Sequence, residues 1–343
     1  IAQARSAGIK IVMITGDAPE TASAIASSLE LPVQRVLIGD ELVSISDESL
    51  DAALSQDVLF ARTTPEHKLR IVDRLLQLGH VVAMTGDGVN DAPALKRADI
   101  GIAMGIRGTD VAKDAADIVL LDDNFASIVE AIREGRRQYE NIKKFVRYLL
   151  TSNAGEVVAI SANIIAGGPL IFVPIQILWM NLVTDGVTAL SLSAEKPETD
   201  VMEHRPHRSE EDIVGRNGLI VILLMAVYTG SASLWVFYSL LDESVIIAQT
   251  AAFTTMIFLE KFSVFAFRSL TLPTGKIGYF SNPWLYLALT VTLGAQVAAV
   301  YWPPLQAILH TTALPPDLWI TIILVTAPVV FIPEAIKLLR NLR

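Results

Sequence analysis

The chain has 343 residues, a formal net charge of −9 at pH 7 and a mean hydropathy of +0.47. This hydropathy excludes an ordinary soluble protein, so part of the chain is predicted to be membrane-embedded, and the length allows two domains. The acidic balance, without a basic stripe, argues against nucleic acid as a partner. The absence of cysteine excludes disulfides and thiolate metal sites. Because the sequence has neither an initiator Met nor a signal peptide, we expect a fragment of a longer protein.

Short apolar runs alternate with helical patterns through the first 124 residues. Strands are predicted at 9–15, 36–38, 58–61, 81–85, 101–104 and 118–121. Helices are predicted at 18–29, 47–54 and 65–78, with a further helix opening on Pro93. This alternation indicates an α/β fold built on a doubly wound parallel sheet with right-handed crossovers.

A polar turn at 86–91 follows the strand predicted at 81–85. It gathers Asp87, Asn90 and Asp91 at the carboxyl end of that strand, where open α/β sheets bind ligands. Carboxylate and amide oxygens beside a helix start suit Mg²⁺ together with phosphate. The alternative is an ordinary Asp-Gly turn. The convergence of several oxygen ligands favours the metal site.

One long helix is predicted from 125 to about 165, since only Gly135 and Gly155 interrupt its pattern. It is charged as far as Arg147 and apolar beyond Tyr148, so it would begin in water and enter a bilayer. We expect 125–147 to be a stalk that links the phosphate site to the membrane. The same residues also fit a simple basic membrane anchor.

Five further apolar runs complete a predicted bundle of six transmembrane helices. They lie near 171–192, 219–241, 247–267, 284–302 and 318–339, each close to the ~20 residues that a span requires. The loops at 167–170, 242–244 and 303–317 contain no Lys or Arg. The basic residues lie on the other side, at Lys196, Arg205, Arg208, Arg216, Arg268, Lys276, Lys337, Arg340 and Arg343. Both ends of the chain are therefore expected to be cytoplasmic.

Polar side chains inside these spans are costly in a bilayer and are therefore functional candidates. They are Asn153 and Glu156 on the first span, Asn181, Thr184 and Asp185 on the second, and Glu260 on the fourth. Spacings of three and four residues place each set on one helix face. Three carboxylates with amide and hydroxyl oxygens would form a hard-oxygen site for Ca²⁺. Helix–helix hydrogen bonds are the alternative, chiefly for the two asparagines.

Four motifs together resemble those of P-type ion-pumping ATPases. They are MITGD at 13–17, TPEHK at 64–68, TGDGVNDAPAL at 85–95 and NLVTDG at 181–186. The match covers nearly the whole chain and resembles the C-terminal part of a calcium pump of the sarco/endoplasmic reticulum type. It implies part of a haloacid-dehalogenase-like phosphorylation domain at 1–124, the stalk at 125–147 and the family's membrane helices five to ten at 148–343.

The resemblance implies roles for the cytoplasmic motifs. Thr15, Gly16 and Asp17 match the motif whose threonine contacts phosphate, and Lys68 matches the lysine that steadies the aspartyl phosphate. From the sequence alone, Lys68 is equally a solvated surface lysine. Asp87 matches a Mg²⁺ ligand, with Asn90 and Asp91 close around it.

The resemblance also extends to the membrane candidates. SNAGEVV at 152–158 and NLVTDG match the calcium pump's fifth and sixth membrane helices, which implies that their polar residues bind the transported ion. These residues are Asn153, Glu156, Asn181, Thr184 and Asp185. Glu260 falls on the eighth-helix glutamate by spacing only, and Lys261 beside it departs from the family pattern.

The function predicted is ATP-driven Ca²⁺ transport through an aspartyl-phosphate intermediate, with Mg²⁺ as cofactor and H⁺ counter-transport as a further hypothesis. The chain lacks the DKTGT nucleophile motif. We expect that motif, the nucleotide-binding domain, the actuator and four membrane helices in a missing N-terminal part of the same pump. The alternatives are the same machine pumping Mn²⁺ or Na⁺/K⁺, and a truncated non-enzymatic membrane protein with a vestigial phosphate site.

Overall fold

The computed structural model describes residues 1–198, 200–204, 206 and 212–341. Three of the predicted loop charges, Arg205, Arg208 and Arg343, lie outside these residues. The contacts divide the chain into two units, Ile1–Glu134 with Met202–Pro206, and Gly135–Val201 with His207–Arg343. The boundary between these two units lies within the long helix, and the three-part division at 124 and 147 remains a prediction.

The first unit is an α/β fold in which every strand pair is parallel, as predicted. Its strands are β1 (Met13–Ile14), β2 (Arg35–Ile38), β3 (Val58–Ala61), β4 (Ala83–Gly86), β5 (Ile100–Met104) and β6 (Ile118–Leu120). They form two three-stranded sheets, ordered β1-β3-β2 and β4-β5-β6, rather than one. Both β1 and β4 are edge strands, because no strand in the described part of the chain pairs with their outer sides.

Seven short helices connect these strands. They are α1 (Ala2–Ser6), α2 (Pro19–Ser28), α3 (Gly39–Ser44), α4 (Asp47–Ser55), α5 (Pro65–Gln77), α6 (Ala92–Arg97) and α7 (Asp110–Ala115). Proline stands in the first turn of α2 and α5, where its fixed φ suits a helix start. The Thr64 side chain caps α5 by accepting a hydrogen bond from the His67 N–H. The core of the first sheet buries Leu37, Phe60 and Ile71 completely.

The second unit is helical. Its elements are α8 (Phe125–Ile165), which begins in the first unit, α9 (Pro174–Leu178), a π-helix (Trp179–Asp185), α10 (Gly186–Ser191), α11 (Gly215–Leu240), α12 (Val245–Phe267), α13 (Thr274–Ile277), α14 (Pro283–Tyr301), α15 (Pro303–Leu309) and α16 (Pro316–Asn341). Most of α12 is buried, and it packs against α11, α14 and α16. It therefore forms the centre of the bundle.

Among the described residues, five helical stretches are long and apolar enough to cross a membrane. They are Pro174–Ala194, Gly215–Leu240, Val245–Phe267, Pro283–Tyr301 and Pro316–Leu339, and they coincide with the five apolar runs after α8. The sixth predicted span, the apolar half of α8, is not apolar enough to be included among them. Its segment is helical, but Asn153, Glu156 and Asn163 lower its hydropathy. The structure thus supports an integral multi-pass membrane protein.

Two glycines bring α8 and α11 into close contact. A Cβ added at Gly230 would lie 2.7 Å from the backbone oxygen of Gly155, and one added at Gly155 would lie 2.4 Å from Thr229 Oγ1. At Gly230 the obstacle is backbone, so only glycine allows the two backbones to approach so closely there, whereas at Gly155 it is the Thr229 side chain. This crossing lies one residue before Glu156.

Candidate functional site

The turn after β1 contains the first predicted phosphate motif. Thr15 Oγ1 donates to Asp17 Oδ2 at 2.9 Å and accepts from the Asp17 N–H at 3.1 Å. The Thr15 carbonyl accepts from both the N–H and the hydroxyl of Thr63, each at 3.0 Å. These bonds fix the turn against the end of β3. Gly16 and Asp17 are exposed there.

Asp91 anchors the turn after β4. Its side chain is 8% exposed, and its Oδ1 accepts from Lys68 Nζ at 2.5 Å. Its Oδ2 accepts from the backbone N–H groups of Asp87 at 3.2 Å and Gly88 at 3.0 Å. Lys68 is therefore a paired, largely buried lysine and not a solvated surface one. Asp91 is committed to holding the turn and Lys68 in place.

Asp87 and Asn90 point out of this anchored turn and are exposed. The Asp87 carbonyl accepts from the Thr109 N–H at 2.9 Å, whereas none of the described hydrogen bonds reaches its carboxylate. A free carboxylate on a rigid turn fits Mg²⁺, which binds proteins through one or two carboxylates and completes its shell with water and phosphate. The residues present therefore fit the metal that the sequence predicts.

In the helical unit, the structure pairs Glu156 of α8 with Asn181 of the π-helix. Asn181 Nδ2 donates to Glu156 Oε1 at 3.3 Å and to Oε2 at 3.0 Å. Glu156 is 4% exposed. The two candidates were predicted on different spans, and the fold brings them together.

Asp185 is fully buried at the end of the π-helix and pairs with Lys261 of α12. Lys261 Nζ donates to Asp185 Oδ1 and, at 2.9 Å, to the Tyr148 hydroxyl. It also lies 5.6 Å from the centre of the Tyr148 ring, within cation–π range. The sequence showed Lys261 only as a departure from the family. Its pairing with a predicted ion ligand appears only in the fold.

Glu260 is 1% exposed, and no N–H or O–H group in the described residues donates to either of its carboxylate oxygens. Asp185 Oδ2 also accepts from no N–H or O–H group among the described residues, and the carboxyls of Asp185 and Glu260 lie within hydrogen-bonding reach of each other. The Glu260 carboxyl lies close enough to those of Asp185 and Glu156 for electrostatic interaction. Buried carboxylate oxygens without donors are costly. These three oxygens are therefore the acceptors of this cluster that a cation could bind.

Two candidates do not point into this cluster. Asn153 is exposed, and its amide donates along its own helix to Leu149 O at 2.8 Å. Thr184 is buried, but its hydroxyl donates to Met180 O at 2.9 Å. Among the described residues, no three His, Asp or Glu side chains converge closely enough to hold a metal. The candidate residues therefore form pairs rather than a preformed metal cage.

A second buried polar cluster lies where three membrane helices end. Arg268, at the end of α12, binds Glu195 at 2.8 Å, and both side chains are fully buried. Asn282 Nδ2 donates to the same Glu195 carboxylate at 3.0 Å and to Ser191 O at 2.8 Å. The sequence showed Arg268 only as a loop charge. Its position directly after an apolar span was the one available signal.

Glu198 lies beside this cluster and outside the spans. Burial alone would raise its pKa, but Lys144 at 3.2 Å and hydrogen bonds from Ser269 and Thr271 reverse the effect. The pKa of Glu198 is therefore lowered from its ordinary value. Folding stabilises the ionised form of this carboxylate.

Parts of both units match known protein families. Residues 169–339 match the family model described as cation transporting ATPase, C-terminus. Residues 1–99 and 75–132 match two models described as haloacid dehalogenase-like hydrolase. The matches assign residues 169–339 to a cation transporting ATPase family and the α/β unit to the haloacid dehalogenase-like hydrolases.

Calcium-transporting ATPases are among the relatives of this chain. The calcium-transporting ATPase of Bacillus subtilis is 45% identical over 328 residues, covering 94% of this chain and 37% of the relative. Calcium-transporting ATPase 1 of Bacillus cereus is 41% identical, covering 99% of this chain and 40% of the relative. An endoplasmic reticulum calcium ATPase of Aspergillus fumigatus is 37% identical, with coverage of 98% and 39%. The chain spans about two fifths of the length of these relatives. The chain belongs to the family of P-type cation-transporting ATPases.

Proposed function

We propose that this chain is part of a pump that uses ATP, through an aspartyl-phosphate intermediate, to move Ca²⁺ across a membrane. The α/β unit supplies part of the phosphorylation site and the helical unit supplies part of the transport site. The observation that carries the proposal is the set of buried carboxylate oxygens without donors at Glu260 and Asp185. Oxygen ligands of this kind suit a hard divalent cation.

At the phosphorylation site, Asp87 would hold Mg²⁺, and the Thr15–Asp17 turn and Lys68 would face the phosphoryl group. Mg²⁺ neutralises the charge that develops on the transferred phosphoryl oxygens. Asp91 is a positioning residue, because it holds both Lys68 and the turn that carries Asp87. The nucleophilic aspartate would come from another part of the pump.

At the transport site, Glu156, Asn181, Asp185 and Glu260 would bind Ca²⁺ during the cycle. Asn153 and Thr184 remain predicted ligands that would have to turn towards the ion. α8 links the two functions, because one helix of 41 residues carries the predicted stalk and Glu156. Protons returning on the emptied carboxylates would complete the exchange.

The remaining assignments concern the whole pump. The actuator, the nucleotide-binding domain and four further membrane helices would be the partners of this chain, together with the lipid bilayer. The basic loops predict that both ends of the chain face the cytoplasm.

The test is phosphoenzyme formation from ATP in the full-length pump, titrated with Ca²⁺. We expect labelling to require Ca²⁺, and Glu156→Gln to raise the half-maximal Ca²⁺ concentration at least tenfold, because it removes a ligand charge. Glu243→Gln is the matched control, since Glu243 is exposed in the loop after α11. It should titrate like the wild type.

Other outcomes would favour the alternatives. If labelling depends on Mn²⁺ or Na⁺ but not on Ca²⁺, the chain belongs to a pump that transports that other ion. No labelling under any ion condition in a folded pump would favour a non-enzymatic membrane protein.

A further inference from the structure

A lysine lies inside the proposed transport site. Lys261 is fully buried in the last third of α12, six residues before the helix ends, and its ammonium contacts the Asp185 carboxylate and the Tyr148 hydroxyl. Tyr148 is itself fully buried on α8. The ammonium is thus held by partners from α8 and from the π-helix, which is the geometry of a bound cation rather than of a side chain reaching for solvent.

The ammonium also changes the charge of the site. Glu156, Asp185 and Glu260 contribute three carboxylates and Lys261 contributes one ammonium. Their formal charge is minus two when all are ionised, which one divalent cation would neutralise. A second divalent cation would leave the buried site with an excess positive charge, which a low-dielectric environment penalises strongly.

We propose that Lys261 is a resident cation of the transport site, and that it limits the site to one divalent ion. Its ammonium occupies the position beside Asp185 Oδ1 that a further ion would need. The incoming ion binds through Glu156, Glu260 and Oδ2 of Asp185. This inference rests on the proposed function, because it specifies how many ions that same site takes.

The position of the free oxygens supports this division. Asp185 presents one oxygen to Lys261, while its other oxygen accepts from no N–H or O–H group among the described residues and the Glu260 carboxyl lies within hydrogen-bonding reach of Asp185. Both oxygens of Glu260, the residue before Lys261, are equally without donors. Lysine and ion can therefore share the Asp185 carboxylate, one on each oxygen.

The test is equilibrium binding of ⁴⁵Ca²⁺ to the purified full-length pump, normalised to its capacity for phosphorylation from ATP. The variants are Lys261→Met, which keeps length and removes charge, and Lys261→Arg, which keeps charge. Lys337→Met is the matched control, because Lys337 is another buried lysine on a membrane helix and pairs with Glu334 rather than with a predicted ligand.

We expect one Ca²⁺ per phosphorylation site in the wild type, in Lys261→Arg and in Lys337→Met. Lys261→Met should bind a second Ca²⁺ per phosphorylation site. Two Ca²⁺ per site in the wild type would overturn the proposal, and this measurement does not depend on any variant folding. Wild-type stoichiometry in Lys261→Met would also overturn it, as would complete loss of binding in a folded Lys261→Met pump. Absence of Ca²⁺ binding and of Ca²⁺-dependent labelling in the wild type would instead refute the proposed function, and the inference with it.

Discussion

Gly86, the last residue of β4, offers a sharp test of the role of Asp91. A Cβ added at Gly86 would lie 2.4 Å from Asp91 Cβ and 2.8 Å from its Cγ, so Gly86→Ala must displace the Asp91 side chain. Displacement breaks the contact with Lys68 and the two hydrogen bonds from the turn backbone. Hydrogen bonds to a charged group contribute about 1.5–3 kcal/mol each. Because the side chains partly readjust, we expect a net cost of about 2–4 kcal/mol.

If this cost falls on the phosphorylation step, the rate of phosphoenzyme formation should drop about 30-fold to about 1,000-fold, since each 1.36 kcal/mol is a factor of ten. The assay is rapid-quench labelling with ³²P-ATP in the full-length pump. Gly88→Ala is the matched control two residues along the same turn. Its added Cβ would lie 3.5 Å from Asp91 Oδ2, an ordinary contact, on a backbone with φ of −102°. Equal rates in Gly86→Ala and Gly88→Ala would refute the anchoring role of Asp91.

Three further predictions concern the helical unit. Arg268→Met leaves the Glu195 carboxylate buried without its counter-charge, so it should destabilise the unit by about 3–5 kcal/mol. Thermal inactivation of the membrane-bound pump measures this, and the added change Glu195→Met should restore part of the loss. The pKa of Glu198 is lower in the folded than in the unfolded protein, where it is about 4.3. The ionised carboxylate therefore stabilises the fold above about pH 4.3, and this stabilisation is lost as the pH falls through the folded pKa. Glu198→Gln should therefore flatten the loss of thermal stability between neutral and acid pH, and an unchanged profile would contradict this. Gly155→Ala should disturb the helix crossing because its Cβ meets Thr229 Oγ1 at 2.4 Å, and Gly155→Ala combined with Thr229→Ala should recover wild-type stability.

Individual helices and strands were predictable where the spacing of apolar residues and the residues at helix starts determine them. The strand at 58–61 and the helices starting at Asp47 and Pro65 lie where apolar spacing, acidic first turns and proline placed them. The first strand was overestimated, since only Met13–Ile14 of 9–15 form ladder bonds. A strand exists only where it has a partner, and apolar pattern cannot report the partner's extent. For the same reason the pattern predicted one sheet where the structure has two.

The candidate site was predictable as a set of residues and not as a set of contacts. Glu156, Asp185 and Glu260 were identified because polar side chains are energetically costly inside apolar spans. The pairing of Asp185 with Lys261 joins residues 76 positions apart, and that of Arg268 with Glu195 joins residues 73 apart. Such pairs depend on how the helices pack. The π-helix, which replaces the α-helix predicted around Asp185, is likewise not predicted by the local residue propensities.

The glycine crossing gives α8 unequal arms. Gly155 lies 30 residues from Phe125 and 10 residues from Ile165 within this helix. At 1.5 Å per residue the two arms are about 45 Å and about 15 Å long. If α8 were straight and tilted about the glycine crossing, its charged end would move about three times as far as its apolar end. Glu156 is one residue from the crossing and would hardly move. A large tilt of the predicted stalk would therefore leave Glu156, a predicted ion ligand, nearly in place.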